Sequence, residues 1–503
     1  MKKILFFSIS SHHHHIFFRN MGCYKLAHEL RNHGFECQVI EFLHDFTDEQ
    51  FNQIMERVVP HYDMIALSTT YSFIWMEYGA FPQQCYSRFE QIYKSAKEQN
   101  KKLVFGGSHV DKFVPRFPDA DAFFEGYSEQ TFVNYCKQVF NTNPLAIFTP
   151  LPENRIFKDQ SETVGYDFAS SSMSYTDQDI IFPKETLSIE ISRGCIFKCK
   201  YCSFPMNGKK KNDFIRNADS IYEEMMENYR LYGSTRYFFL DNTFNDTVEK
   251  MEIVRDAVQR LPFKDELEIC GYIRHDLLAR DFDRQIKLLQ EIGFRHMQYG
   301  IEVLNDESGK LIGKGMPFEE TLAFLRKMKQ YREETGEYFY QFSAFMMGFE
   351  YDNIPEFKER LTLLLDEDLL DGVTLIPLVV DATTSYKSEF EENLGTYGFV
   401  IDPVSMNWSN DRNPEGLKNF AEARATVSEV FSEIVVPRKK NLPVPNRKLY
   451  VKSMMSIATN LSKSVIDSIA ETPNAEKTDL LLSMYTKIKN DFFDRLMKLP
   501  LHQ

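Results

Sequence analysis

The sequence predicts an α/β protein in three parts: a doubly wound N-terminal domain, a partial (β/α)6 barrel and a helical C-terminal region. Two series of apolar strands alternating with amphipathic helices carry that expectation, at residues 1–145 and 186–400. A proline-punctuated stretch at 146–185 separates them, and from residue 401 the strand pattern gives way to helical periodicity up to 503. A chain of 503 residues also exceeds what one hydrophobic core supports.

In the first series, strands are expected at 3–8, 36–41, 64–68, 102–105 and 120–124, with helices at 23–32, 48–58, 81–98 and 129–139. Near-continuous apolar strands indicate a parallel sheet covered on both faces. Five such units suggest a flavodoxin-like domain whose ligand sits beyond the carboxyl ends of the strands. Residues 146–185, with prolines and the polar run SSSMSYTDQD, read as a linker. The second series places strands at 186–192, 236–240, 266–274, 296–302, 338–348 and 372–377. Helices are expected at 218–231, 247–260, 282–291, 318–331 and 354–366. In six consecutive βα units, chemistry belongs at the C-terminal strand ends. Residues 401–503 read as a helical domain, with periodic segments at 419–434 and 479–498.

Composition excludes some functions. Hydrophobic residues at 43% and charged residues at 26% are ordinary for a globular protein. A formal net charge of -14 argues against wholesale nucleic-acid binding. A local basic loop (Arg438, Lys439, Lys440, Arg447, Lys448 and Lys452, near Tyr450) and the run 209–211 are candidates for phosphate contact, although such runs are usually solvated faces. The first residues, MKKILFFSIS, have a short apolar run and then four histidines (His12 to His15), unlike a secretory leader. No apolar run reaches the roughly 18 residues needed to span a bilayer. Eight cysteines are too few and too unevenly placed for a disulfide framework. Cys23, Cys37, Cys85, Cys136 and Cys270 are scattered singly and read as buried small hydrophobes.

The remaining three cysteines are different. Cys195, Cys199 and Cys202 form a CxxxCxxC spacing directly after the first strand of the barrel series. Three thiolates can hold three irons of a cubane cluster and leave the fourth iron open. A closed zinc site wants four ligands, usually as two separated pairs, and no fourth Cys or His stands nearby. A reducing cytoplasm, the expected compartment, suits such thiolates.

With Tyr201 just before the third cysteine and FPMNGKKK after it, this segment resembles the radical SAM superfamily. The resemblance implies a [4Fe–4S] cluster whose open iron binds S-adenosyl-L-methionine (SAM), and reductive cleavage of SAM to a 5′-deoxyadenosyl radical. It also implies an electron donor such as flavodoxin or ferredoxin. Further segments at strand ends extend it. FFLDNTFN is similar to the family's DDxF segment and implies that Asp241 and Asn242 face the SAM methionine moiety. GYIRHD offers Arg274 as a SAM or substrate contact, and YGIE offers Glu302 to the SAM ribose or amine, with Val303 standing where that pattern has serine. Lys314 and Gly315 fit the family's NKG element, and Gly348 and Phe349 begin a GFPGET-like segment that then departs from the pattern.

A doubly wound domain before such a barrel resembles the cobalamin-dependent class of that superfamily. GGSH at 106–109 is similar to its GGPH element, in which Gly106 and Gly107 let backbone approach the corrin. Ser68 and Thr70 are implied to line the lower corrin face. The cobalt-ligating DxHxxG signature is absent: Phe17 stands for the Asp and Arg19 for the His, leaving the His12 to His15 run as another source of imidazole. The favoured expectation is cobalamin-dependent methyl transfer to a small molecule or peptide. The alternative is cobalamin-independent hydrogen abstraction, including on a tRNA.

Overall fold

The computed structural model describes residues 1–9, 19–70, 83–107, 110–141, 155–160, 166–337, 339–381, 386–402, 407–412, 416–440 and 477–500. Apolar runs such as KILFF, buried at four of five positions, assemble the first sheet. Its strands are β1 (Lys3–Phe7), β2 (Glu36–Ile40), β3 (Met64–Ser68), β4 (Lys102–Gly106), β5 (Ala122–Tyr127) and β6 (Ile156–Gln160). All pair in parallel, in the order β2-β1-β3-β4-β5-β6. This is the expected doubly wound order with one addition. The stretch read as a linker contributes β6, whose residues pair with β5 from Phe123↔Ile156 to Tyr127↔Gln160.

The second sheet holds β7 (Leu187–Ile189), β8 (Arg236–Phe239), β9 (Glu268–Ile273), β10 (Phe294–Glu302), β11 (Tyr340–Met347) and β12 (Gly372–Pro377). These six also pair in parallel and strictly in sequence order, with β7 and β12 at the two edges, so the barrel is partial. Asn217, Thr247, Asn305 and Asn353 cap intervening helices by accepting backbone N–H groups, which fixes where each helix leaves its strand.

Among the described residues, the two long helices expected after residue 401 pack against different parts of the molecule. The helix Phe420–Val430, extended by Phe431–Val435, packs Ala423, Val427, Val430 and Ile434 into the core shared with the barrel. The last helix, Lys477–Lys498, packs on the first domain instead. Its Tyr485, Phe492 and Phe493 rings lie 5.8, 5.3 and 5.9 Å from Phe42, Phe42 and Phe46, and the Tyr485 hydroxyl donates to Asp45 at 2.5 Å. It thereby covers the sheet face carrying Leu5, Phe7, Leu67 and Phe105.

Buried ions tie the first domain to the rest of the chain. Arg19, at 2% exposure, holds Glu185 through Nε (2.5 Å) and Nη2 (2.9 Å). Arg193, two residues before the first clustered cysteine, pairs with Glu129 and with Glu190 (2.8 Å), and its guanidinium lies 4.2 Å from the Tyr127 ring centre.

Candidate cluster and cofactor site

The cysteine loop leaves β7 and is pinned to its own return stretch. Arg193 N donates to Phe214 O (3.0 Å), Cys195 N to Met206 O (3.3 Å), and Gly208 N to Cys195 O (2.7 Å). Gly194 sits at φ 70°, where a Cβ would lie 2.5 Å from Met206 O, so the close approach of the two stretches requires glycine.

Cys195 is buried; Cys199 and Cys202 are half-buried. Each thiol has its own polar neighbour. Cys195 Sγ lies 3.5 Å from Thr243 Oγ1, Cys199 Sγ lies 3.9 Å from Arg274 Nη1, and Asn207 Nδ2 donates to Cys202 Sγ at 3.1 Å. Burial pushes the Cys199 and Cys202 thiols up, while Lys314 and Arg274 oppose that at Cys199. Among the described residues, no group of three or more Cys, His, Asp or Glu gathers about one point as a lone ion requires. A cubane does not need that convergence, since each thiolate binds its own iron. One buried and two half-buried thiols, with a hydroxyl, a guanidinium and an amide beside the sulfurs, fit such a cluster in donor chemistry and in charge.

Arg274 and Glu302 sit at the ends of adjacent strands. Arg274 is fixed by Asn245, which accepts from its N–H (2.8 Å) and donates to its carbonyl (3.0 Å). Asp276 grips its guanidinium at 2.8 and 2.9 Å, and the Phe197 ring centre lies 3.8 Å away. Glu302 takes a left-handed conformation at φ 71°, at a shift in register between β10 and β11 that re-aims its side chain. Lys314 Nζ donates to Glu302 Oε1 (2.9 Å) and to Gly300 O (2.7 Å), and the Tyr201 hydroxyl bonds the same carboxylate. The structure thus brings Tyr201, Cys199, Arg274, Glu302 and Lys314 together.

Asp241 is placed differently from its expected role. It is wholly buried, and its carboxylate accepts from Ile191 N (3.2 Å), from the Ser192 hydroxyl and from Lys250 (3.4 Å). Lys250 also pairs with Asp246 at 2.6 Å. Asp241 therefore braces the turn that enters the cysteine loop, its carboxylate bonded to protein partners. Asn242, half-buried, stays at the strand end.

In the first domain a cleft opens at the carboxyl ends of β1, β3, β4 and β5. Ser68, Thr70, Gly106 and Gly107 line it with Phe6, Ala66, Phe105 and Phe124. The adjacent strands β1 and β3 mark the switch point, where the strand order of a doubly wound sheet reverses. Gly107 (φ 149°) comes so close to the β3 end that a Cβ would run into the Thr69 hydroxyl and lie 3.0 Å from Thr70 N. Arg19 does not line the cleft: its donors are committed to Glu185, Tyr24 and the Asp179 and Ile180 carbonyls. The neighbouring Asn20 does, donating to Ser68 Oγ at 2.6 Å. Asn207, Thr243 and Asp276 fall inside the segments FPMNGKKK, FFLDNTFN and GYIRHD without being singled out there, and Asn20 stands beside Arg19, so only the fold reveals their parts.

His12 to His15, Phe17, His109, Arg447, Lys448, Tyr450, Lys452 and the side chains of Cys85, Lys439 and Lys440 lie outside the described residues. Arg438 is bound to Asp366 at 2.7 Å. Cys23, Cys37, Cys136 and Cys270 are buried as expected.

Residues 189–364 match the family model of the Radical SAM superfamily. The chain carries a radical SAM domain. Enzymes of this superfamily use a [4Fe–4S] cluster and SAM, and the radical SAM domain here spans the cysteine loop, Arg274, Glu302 and Lys314. No curated protein sequence matches the chain. Among solved structures, TsrM from Kitasatospora setae, a radical SAM methyltransferase, is similar over 98% of this chain and 100% of its own, with TM-score 0.63 and 14% identity. It has been solved with cobalamin and a [4Fe–4S] cluster, and with tryptophan substrate and aza-SAM. OxsB, a cobalamin-dependent SAM radical enzyme solved with aqua-cobalamin and SAM, is similar over 98% of this chain and 72% of its own, with TM-score 0.53 and 14% identity. At that identity the likeness establishes a shared fold, including the doubly wound domain ahead of the radical SAM domain. Among the described residues, no helix is long and apolar enough to cross a membrane.

Proposed function

We propose that the chain is a cobalamin-dependent radical SAM methyltransferase, with the corrinoid in the N-terminal cleft and the cluster on Cys195, Cys199 and Cys202. The observation that carries the cobalamin reading is the Gly107 approach: small residues and bare backbone floor an apolar cleft at a switch point, as a flat macrocycle requires. Bound to these sites, the reduced cluster with SAM would supply a 5′-deoxyadenosyl radical, and methylcobalamin the methyl group.

The chain's own residues do the holding. Arg274 and Lys314 place two positive charges near the Cys199 thiolate and offset the negative charge of a thiolate-bound cluster. Asp276, Asn245 and Phe197 hold Arg274 in one orientation, so that charge is preorganised. Glu302, aimed by its left-handed backbone and held by Lys314 and Tyr201, presents a carboxylate to accept hydrogen bonds from a SAM hydroxyl or ammonium. The substrate is a small molecule or peptide, and turnover needs an external reductant.

Titration of the anaerobic protein with hydroxocobalamin tests the assignment. Gly107→Ala lowers corrinoid affinity at least tenfold while iron content stays at the wild-type level. A wild-type protein that assembles its cluster and cleaves SAM, yet binds no corrinoid, would instead support cobalamin-independent hydrogen abstraction.

A further inference from the structure

The cysteine loop carries a charge pattern that cluster binding does not explain. Between Gly194 and Asn212 there are five lysines and no acidic residue, in a chain of net charge -14. Two of the five have partners on the protein: Lys209 bonds Asp213 O at 2.8 Å, and Lys200 faces Glu389 and the Tyr397 ring. Lys198 and Lys210 are exposed and form no ion pair among the described residues, and Lys211 keeps a solvated pair with Glu249. Lys198 lies across Gly208, where a Cβ would stand 2.7 Å from its Cγ, so the two lysine runs form one patch. On the same loop stands Phe204, an aromatic ring 64% exposed and two residues from Cys202. Two residues of chain reach at most ~7 Å, so this ring marks the outer surface beside the cluster loop.

We propose that Phe204 with Lys198, Lys210 and Lys211 is the docking surface for the electron donor, an acidic flavodoxin-type carrier. This rests on the proposed cluster and its need for a one-electron reductant. An acidic carrier is repelled by the net negative charge of the rest of the molecule and attracted here, which steers it to the cluster side. A flavin bound at the edge of a doubly wound carrier lies at that protein's surface, where Phe204 can meet it directly. The transfer is one electron, from flavin hydroquinone, which becomes semiquinone, to the oxidised cluster, which gains one negative charge; no bond to either protein forms or breaks.

The test uses the full chain with its cluster assembled and an acidic flavodoxin, with binding followed by flavin fluorescence and cluster reduction by anaerobic stopped flow. Cluster absorbance in each sample reports separately on the underlying cluster assignment. Lys198→Glu with Lys210→Glu weakens flavodoxin binding at least tenfold and removes its salt dependence, and Phe204→Ala slows reduction by flavodoxin, while reduction by titanium(III) citrate is unchanged. Lys210→Glu alone, outside the cysteine spacing, serves if the double variant loses its cluster. Unchanged flavodoxin affinity in these variants overturns the proposal. So does a patch whose reversal abolishes tRNA retention but not flavodoxin binding, or one that binds an acidic ferredoxin with the same dependence on Phe204.

Discussion

Glu302 shows how much of this site depends on single backbone choices. A left-handed non-glycine residue costs about 1–3 kcal/mol, and here the surrounding hydrogen bonds from Lys314 and Tyr201 sustain it. Strand sequence reveals the glutamate but not its conformation, because the register shift that creates it depends on pairing with β11. If Glu302 holds SAM by charge-assisted hydrogen bonds, Glu302→Gln weakens SAM binding by about 1.5–3 kcal/mol, read as a Kd raised roughly tenfold or more in an anaerobic SAM titration with cluster content unchanged. The same residue-scale limit explains Arg19 and Asp241. Both stand at positions where family patterns put ligand contacts, yet each has buried partners far away in sequence: Glu185 for Arg19, and Ser192 with Ile191 for Asp241. A buried charge goes to whichever opposite charge or donor the fold places beside it, and one-dimensional spacing does not carry that information.

At the scale of elements, the strands were readable because parallel strands buried on both faces are short apolar runs, and runs such as KILFF and MIALS leave little choice. All eleven strands expected from periodicity form, and the cysteine loop comes after β7 as expected. β6 was hidden because its five residues, IFKDQ, are half polar and sit among prolines; an edge strand covered on one side needs no apolar run. The last helix was recognised as a helix, but its destination was not, since amphipathicity identifies an apolar face and not what that face meets. Its contacts make a stability prediction. Phe492, fully buried against Phe42, is expected to cost about 3–5 kcal/mol when truncated to alanine. Chemical denaturation combined with tryptic digestion should show cleavage in the first domain at lower denaturant, although Phe492 lies more than four hundred residues from β1.

At the scale of the whole molecule, each of two parallel sheets carries a candidate site at its strand ends, and buried ion pairs join the parts. Arg193 is the most informative of these, because its partners Glu129 and Glu190 and the Tyr127 ring belong to the wall beside the cleft and to the strand before the cysteines. The wall beside the cleft and the cluster loop are therefore joined by buried charge. The measurement that tests the central claim most directly is anaerobic reconstitution of the full chain with iron, sulfide and hydroxocobalamin, with SAM and dithionite then added. The account predicts about four irons per chain, bound corrinoid, and 5′-deoxyadenosine formed by the wild type, with cluster absorbance and 5′-deoxyadenosine both lost in Cys199→Ala. A wild type that forms no 5′-deoxyadenosine with its cluster in place, or a Cys199→Ala protein whose cluster is unchanged, would contradict it.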